Sequence, residues 1–168
     1  MSVPVGGAVV DVGDIASAQA ASNLRPGCRL LQVGAGTACA DNTNTTLTWD
    51  TEDYDYGGLH AAGSANIVIT RAGVWEFRLK VFFPAATDYA TIGCVVAKNG
   101  TNQPPWDRLG PNATSAQRTT GTSTEFLCAV GDVITAVALQ DNTTSASRTT
   151  VFGSSFECVF EAKFIRDV

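Results

Sequence analysis

The stretch Trp75-Glu76-Phe77-Arg78-Leu79-Lys80-Val81-Phe82-Phe83 decides the fold. Trp75, Phe77, Leu79, Val81 and Phe83 alternate with Glu76, Arg78 and Lys80, the period-2 mark of a strand buried on one face. A second such run spans Ser155–Arg166. There Phe156, Cys158, Phe160, Ala162 and Phe164 share a face, Glu157, Glu161 and Lys163 lie opposite, and Val159 and Ile165 interrupt the polar side. Apolar residues on both faces suit a strand that packs inward and also meets a neighbouring subunit.

Working outward, further strands are expected at Arg29–Val33, Thr45–Trp49, Ala65–Thr70, Ala90–Ala97, Thr124–Ala129, Val133–Gln140 and Thr149–Phe152. Turn signals separate them: Arg71-Ala72-Gly73, Lys98-Asn99-Gly100, Val130-Gly131-Asp132 and Asp141-Asn142. Asn102–Ala116, with Pro104-Pro105 and Pro111, reads as a surface loop. The expected class is all-β, a jelly-roll sandwich of about nine to ten antiparallel strands in two sheets over residues 25–168. Residues 1–24 differ, being rich in Ala, Val, Gly and Ser with only Asp11 and Asp14 charged. Asp14 suits the cap of a short helix over Ile15–Ala21, marginal unless a partner holds it. This segment reads as an N-terminal arm that docks on another protein.

At 168 residues the chain fits one domain that can bury its own core. Only 16% of residues are charged, against about 25% in an average soluble domain, and Thr, Ser, Asn and Gly fill the polar positions. The net charge is -5 and the eleven Lys and Arg are scattered, which argues against nucleic acid and anionic membranes as partners. No stretch has a signal peptide's charge and apolar pattern or a membrane span's ~20 apolar residues, so synthesis and retention in a cytoplasm are expected. Cys28, Cys39, Cys94, Cys128 and Cys158 are odd in number and widely spaced, and read as buried free thiols. A Cys28–Cys39 bridge is the alternative. Four glycosylation sequons, beginning at Asn44, Asn99, Asn112 and Asn142, read as by-products of Thr-rich loops.

Asp50, Glu52, Asp53 and Asp55 form the one dense ionisable group. Their oxygens could ligate Ca²⁺, or these short acids could accept backbone N–H bonds and shape a turn, the reading preferred here. Pairing them for sugar hydrolysis has little specificity, because any acidic loop allows it. His60, the sole histidine, has no Ser/His/Asp or Cys/His set around it and reads as structural. Gly34-Ala35-Gly36 is too short to cradle a phosphate. Trp106, stiffened by Pro104-Pro105 and followed by Asp107-Arg108, is either a contact anchor, with Arg108 beside it, or a residue packed on its own domain. No catalytic residue and no cofactor is expected.

The segment Thr48-Trp49-Asp50-Thr51-Glu52-Asp53-Tyr54-Asp55-Tyr56-Gly57-Gly58-Leu59-His60 resembles a recurring pattern in virion jelly rolls of bacteriophages. These are related in fold to tumour necrosis factor and the globular head of the complement q subcomponent. Asn66-Ile67-Val68-Ile69, Ala72-Gly73-Val74-Trp75, Lys98-Asn99-Gly100, Gly131-Asp132-Val133 and Phe156–Arg166 follow in that group's order. The resemblance runs from about Pro26 to Val168. Trp75 stands where Tyr is usual, Tyr56 where a small polar residue is common, and the arm has no counterpart.

The resemblance implies a homotrimer packed around an axis through inward-facing aromatic strands. Trp75, Phe77, Leu79, Phe156, Phe160 and Phe164 would be its trimer or core residues. It places the protein on the virion as a capsid decoration protein, with the arm on the major capsid protein or another virion protein. The alternative is a tail or head fibre tip that binds a host-surface glycan or protein through the loops Asn102–Ala116 and Asp141–Ser147.

Overall fold

The computed structural model describes residues 25–111, 115–153 and 157–168. The arm, its expected helix over Ile15–Ala21, and Phe156 lie outside the described residues. Among the described residues there is no helix; twelve strands build the domain. In chain order they are β1 (Gly27–Leu31), β2 (Ala38–Cys39), β3 (Thr45–Thr46), β4 (Thr51–Tyr56), β5 (Asn66–Val68), β6 (Gly73–Ala86), β7 (Tyr89–Lys98), β8 (Thr101–Leu109), β9 (Ala116–Cys128), β10 (Val133–Asn142), β11 (Arg148–Thr149) and β12 (Val159–Arg166). The inner sheet has the order β4-β1-β12-β6-β9, and the outer sheet the order β3-β10-β7-β8, with β5 also pairing with β10. Strands β2 and β11 form a small separate pair. This is the jelly-roll sandwich that the alternating pattern predicts.

The two deciding runs lie side by side. Strand β6 pairs antiparallel with β12, setting Trp75 opposite Phe164, Phe77 opposite Ala162 and Leu79 opposite Phe160. Because successive side chains leave a strand on opposite faces, this register puts Trp75, Phe77, Phe160 and Phe164 between the sheets. Trp75 meets Phe164 edge-on at 5.5 Å, Phe77 stacks on Phe126 at 4.8 Å, and Trp49 stacks on Phe160 at 5.8 Å. From the outer sheet, Ile92, Cys94, Val96, Ile134, Ala136 and Ala138 join the same buried cluster. Each large side chain so buried contributes roughly 1.5–3 kcal/mol.

Trp75, Phe77, Leu79, Phe160 and Phe164 are therefore interior residues, none more than 3% exposed. Of the two roles open to these residues, trimer contact or core, their burial is that of core residues.

Two segments read as loops are strands. The expected loop Asn102–Ala116 is mostly β8, an edge strand joined to β7 by the two-residue turn Asn99-Gly100, both with positive φ. Prolines are tolerated there because the pairing with β7 shifts register between Cys94↔Asp107 and Val96↔Gln103, and an edge leaves N–H positions unused. The acidic stretch is β4, the opposite edge of the inner sheet. Its two polar faces carry no hydrophobic alternation to betray it. Where the outer sheet's β8 edge meets the inner sheet's β9 edge, side chains replace a backbone ladder. Thr120 Oγ1 donates to Asp107 Oδ2 at 2.6 Å, Thr122 Oγ1 to Pro105 O at 3.0 Å, and Thr124 Oγ1 to Pro104 O at 3.1 Å.

Gly73 opens β6 with φ +147°, and a Cβ there would lie 2.4 Å from Arg166 O and 2.6 Å from Phe164 Cε2. Gly131, also at positive φ, has open space around it. Chemical denaturation is expected to show Gly73→Ala losing roughly 2–4 kcal/mol and Gly131→Ala only about 1 kcal/mol, since the first adds a backbone collision to the φ strain.

Candidate functional site

The four clustered acids diverge. Asp50, at the start of β4, turns back on the segment after β1: Oδ1 accepts Val33 N at 2.8 Å, and Oδ2 accepts Gly34 N at 2.8 Å and Ala35 N at 2.6 Å. The glycine-flanked amides thus cradle the chain's own carboxylate. Burial works to raise the Asp50 pKa, but these amides and the Thr51 hydroxyl together outweigh it and hold it below its ordinary value. Glu52 Oε1 meets His60 Nδ1 at 2.6 Å, and Asp53 Oδ2 accepts from Arg29 Nη1 at 3.1 Å. Asp55 accepts the amides of Leu59 at 2.9 Å and His60 at 3.0 Å, closing the turn through Gly57-Gly58. Among the described residues no group of three or more His, Cys, Asp or Glu is gathered to hold a metal.

The His60 side chain is 1% exposed, and its second nitrogen, Nε2, lies 3.0 Å from Ser64 O. Both ring nitrogens face acceptors, so the imidazole braces the β4 edge against the 60–64 turn. A catalytic base needs a path to substrate, which this packing denies.

The cysteines are all free and buried, so Cys28 and Cys39 are not bridged. Burial pushes the thiols of Cys28, Cys39 and Cys94 up to about 12 and those of Cys128 and Cys158 up to about 11. Thiols so protonated are inert as nucleophiles.

Trp106 is on β8, not on a projecting loop. Its ring packs against Val95, Ala97 and Val137 on the outside of the outer sheet, and the Arg108 guanidinium lies 4.6 Å from the ring centroid. The 141–147 turn is likewise tied down. Asn142 Oδ1 accepts Thr144 N at 3.1 Å and Ala146 N at 3.0 Å, its Nδ2 donates to Gln140 Oε1 at 2.7 Å, and Asp88 holds Arg148 Nη2 at 2.8 Å. These bonds fix the backbone of the turn around the buried Asn142 side chain.

The broadest unassigned feature is the outward face of the inner sheet. The registers align Tyr54, Arg29, Glu161, Arg78 and Ser123 in one row, and Tyr56, Gly27, Lys163, Glu76 and Glu125 in the next. Glu76 Oε1 lies 2.7 Å from Arg78 Nη2. Glu161 Oε1 lies 3.2 Å from Arg29 Nε, near enough for charge attraction though off the hydrogen-bonding line. A groove of about 390 Å³ runs along this face, lined by Arg29, Arg78, Lys80, Glu157, Glu161 and Val159. Tyr54 and Tyr56 stack at its β4 edge, 5.3 Å between centroids. The charges of β6 and β12 were legible as the polar side of each strand. That they form one surface depends on β1, β12, β6 and β9 being neighbours.

No family model and no curated protein matches this sequence. Solved structures of similar fold include the globular domain of zebrafish complement 1qA protein, with TM-score 0.61 and 10% identity over 85% of this chain and 99% of that one. Murine APRIL at pH 5.0 gives TM-score 0.61 and 14% identity over 84% and 100%. Eiger TNF from S. frugiperda gives TM-score 0.59 and 9% identity over 86% and 94%. At such identities the likeness establishes the jelly-roll fold and nothing further.

Asp88 and Asp132 are also held below the ordinary range, Asp88 first by the Thr144 hydroxyl and Asp132 first by the Asn99 amide. A carboxylate with a depressed folded-state pKa stabilises above its unfolded pKa and loses that contribution as pH falls through the folded value. The melting temperature should therefore drop as pH falls from about 4 toward about 2, and Asp50→Asn should flatten that drop.

Proposed function

We propose that this chain is a structural protein of a bacteriophage particle, a homotrimer of jelly rolls displayed on the capsid as a decoration protein. On this reading residues 1–24 engage the major capsid protein or another shell component. The observation that carries it is the inner sheet's open face: the sandwich fills its core with two sheets, yet among the described residues nothing covers Arg78, Lys80 and Lys163 at the centre of the other side. A face of this breadth suits contact with other protein surfaces. The virion placement is supported by the ordered resemblance of Thr48–His60 and the landmarks after it.

The fibre-tip alternative gains no support from its loops, since most of one is a strand and the other is bonded to itself. Decoration works by bridging shell subunits, so that buried contact area resists internal pressure. The role needs no catalysis.

Light scattering is expected to give three times the 17.5 kDa chain mass at micromolar concentration. Quantitative mass spectrometry of purified particles should find copies in numbers comparable to the major capsid protein; a handful per particle would point to a fibre. A chain starting at Arg25 keeps every core residue of the described domain and should still fold and self-associate, but fail to bind particles lacking the protein.

A further inference from the structure

We infer that the domain meets the shell end-on, through an apolar end of the sandwich that lies beside its junction with residues 1–24. The inference rests on the decoration reading proposed above and names the surface that makes the contact.

Exposed apolar residues gather at this end. Among the described residues seven large apolar side chains are exposed. Five of them, Tyr56, Val68, Leu127, Val130 and Val168, lie where β4, β9 and β12 finish and β1, β6 and β10 begin. Register places three: Tyr56 is opposite Gly27, Leu127 opposite Val74, and Val68 opposite Val133. Val130 sits in the turn between β9 and β10, where Gly131 N donates to Ile69 O at 2.8 Å, next to Val68. Val168 follows Asp167, whose carboxylate holds Arg71 Nη2 at 2.6 Å. The other two, Val33 and Phe152, lie at the far end, where Gly153 N donates to Gln32 O at 3.4 Å. Apolar surface concentrated in this way marks a contact site.

The end is also rigid and its charges are matched. Asp132 Oδ2 accepts Ala129 N at 2.8 Å, and Asp132 Oδ1 accepts Asn99 Nδ2 at 2.8 Å. Asn99 Oδ1 in turn accepts Val133 N at 2.8 Å. These bonds tie the turn carrying Val130 to the Asn99-Gly100 turn, so a side chain 66% exposed is held in place before anything binds it. Lys98 Nζ lies 3.5 Å from Asp132 Oδ2, and Arg71 is paired with Asp167. Apolar side chains among charges already paired suit a protein wall; a sugar or an ion needs free polar groups.

The position of the junction makes the shell the occupant. Arg25 Nη1 donates to Ile165 O at 3.0 Å, and Pro26 O accepts Phe164 N at 2.9 Å, so residues 1–24 join the domain beside the last residues of β12, at this same end. On the decoration reading those residues grip the shell. A second contact beside the first then acts at high local concentration, and the two reinforce each other.

Titrating labelled full-length chain onto particles that lack it tests this. Val130→Glu should lower affinity about tenfold or more, because docking would bury an unpaired charge. Val68→Glu, on a separate strand, should do the same and serves if the first variant does not fold. Phe152→Glu, at the far end, should stay within about twofold of wild type. Circular dichroism and light scattering of the free variants should match wild type. Unchanged affinity in both end variants, while a chain starting at Arg25 fails to bind, overturns the inference and leaves the decoration reading standing. So does an equal loss with Phe152→Glu. An end variant with an altered mass in solution assigns the end to contacts between copies. One whose residues 1–24 become newly sensitive to protease in the free chain assigns it to the arm folded back. Either result overturns the inference. A wild-type chain that does not bind the particles sinks both readings.

Discussion

Everything in this domain depends on the aromatic seam where β6 lies against β12. Trp75, Phe77, Phe160 and Phe164 reach one another only because the two strands are in register and present the same face. The outer sheet then has an apolar platform to cover, and Trp49 brings the β4 edge to it through Phe160. A slip of one residue by β12 against β6 would send Phe160 and Phe164 to solvent and Glu161 and Lys163 inward, which strongly disfavours any other register.

The sheet ends are handled by polar chemistry. On one side Thr120 donates its hydroxyl to the Asp107 carboxylate and Thr122 and Thr124 donate theirs to β8 carbonyls, joining the sheets where no backbone ladder runs between them. On the other side β4 is an edge with acids on it, which discourages addition of further strands. Its carboxylates also do local structural work on the 33–35 amides, Arg29, His60 and the Gly57-Gly58 turn. The paucity of charge elsewhere makes these pairs stand out.

Seen this way, the domain has two unlike broad faces. The outer sheet covers part of itself with Trp106 and Arg108. The inner sheet shows a broad mosaic of Arg, Lys and Glu with tyrosines at one edge. Among the described residues the first is self-contained and the second is open.

The sequence by itself determined the class of fold, because alternation in 75–83 and 156–164 and the turns at Asn99-Gly100 and Gly131-Asp132 are local facts. It also pointed to the backbone bonds of Asp50 and Asp55, since short acids beside glycines accept nearby amides. It misjudged β4 and β8, where an edge strand needs neither alternation nor freedom from proline. Only tertiary structure decided that the aromatics are interior and that the charges of five strands form one surface. Strand order is set by contacts between residues far apart in the chain, and no local pattern records which polar side chains become neighbours.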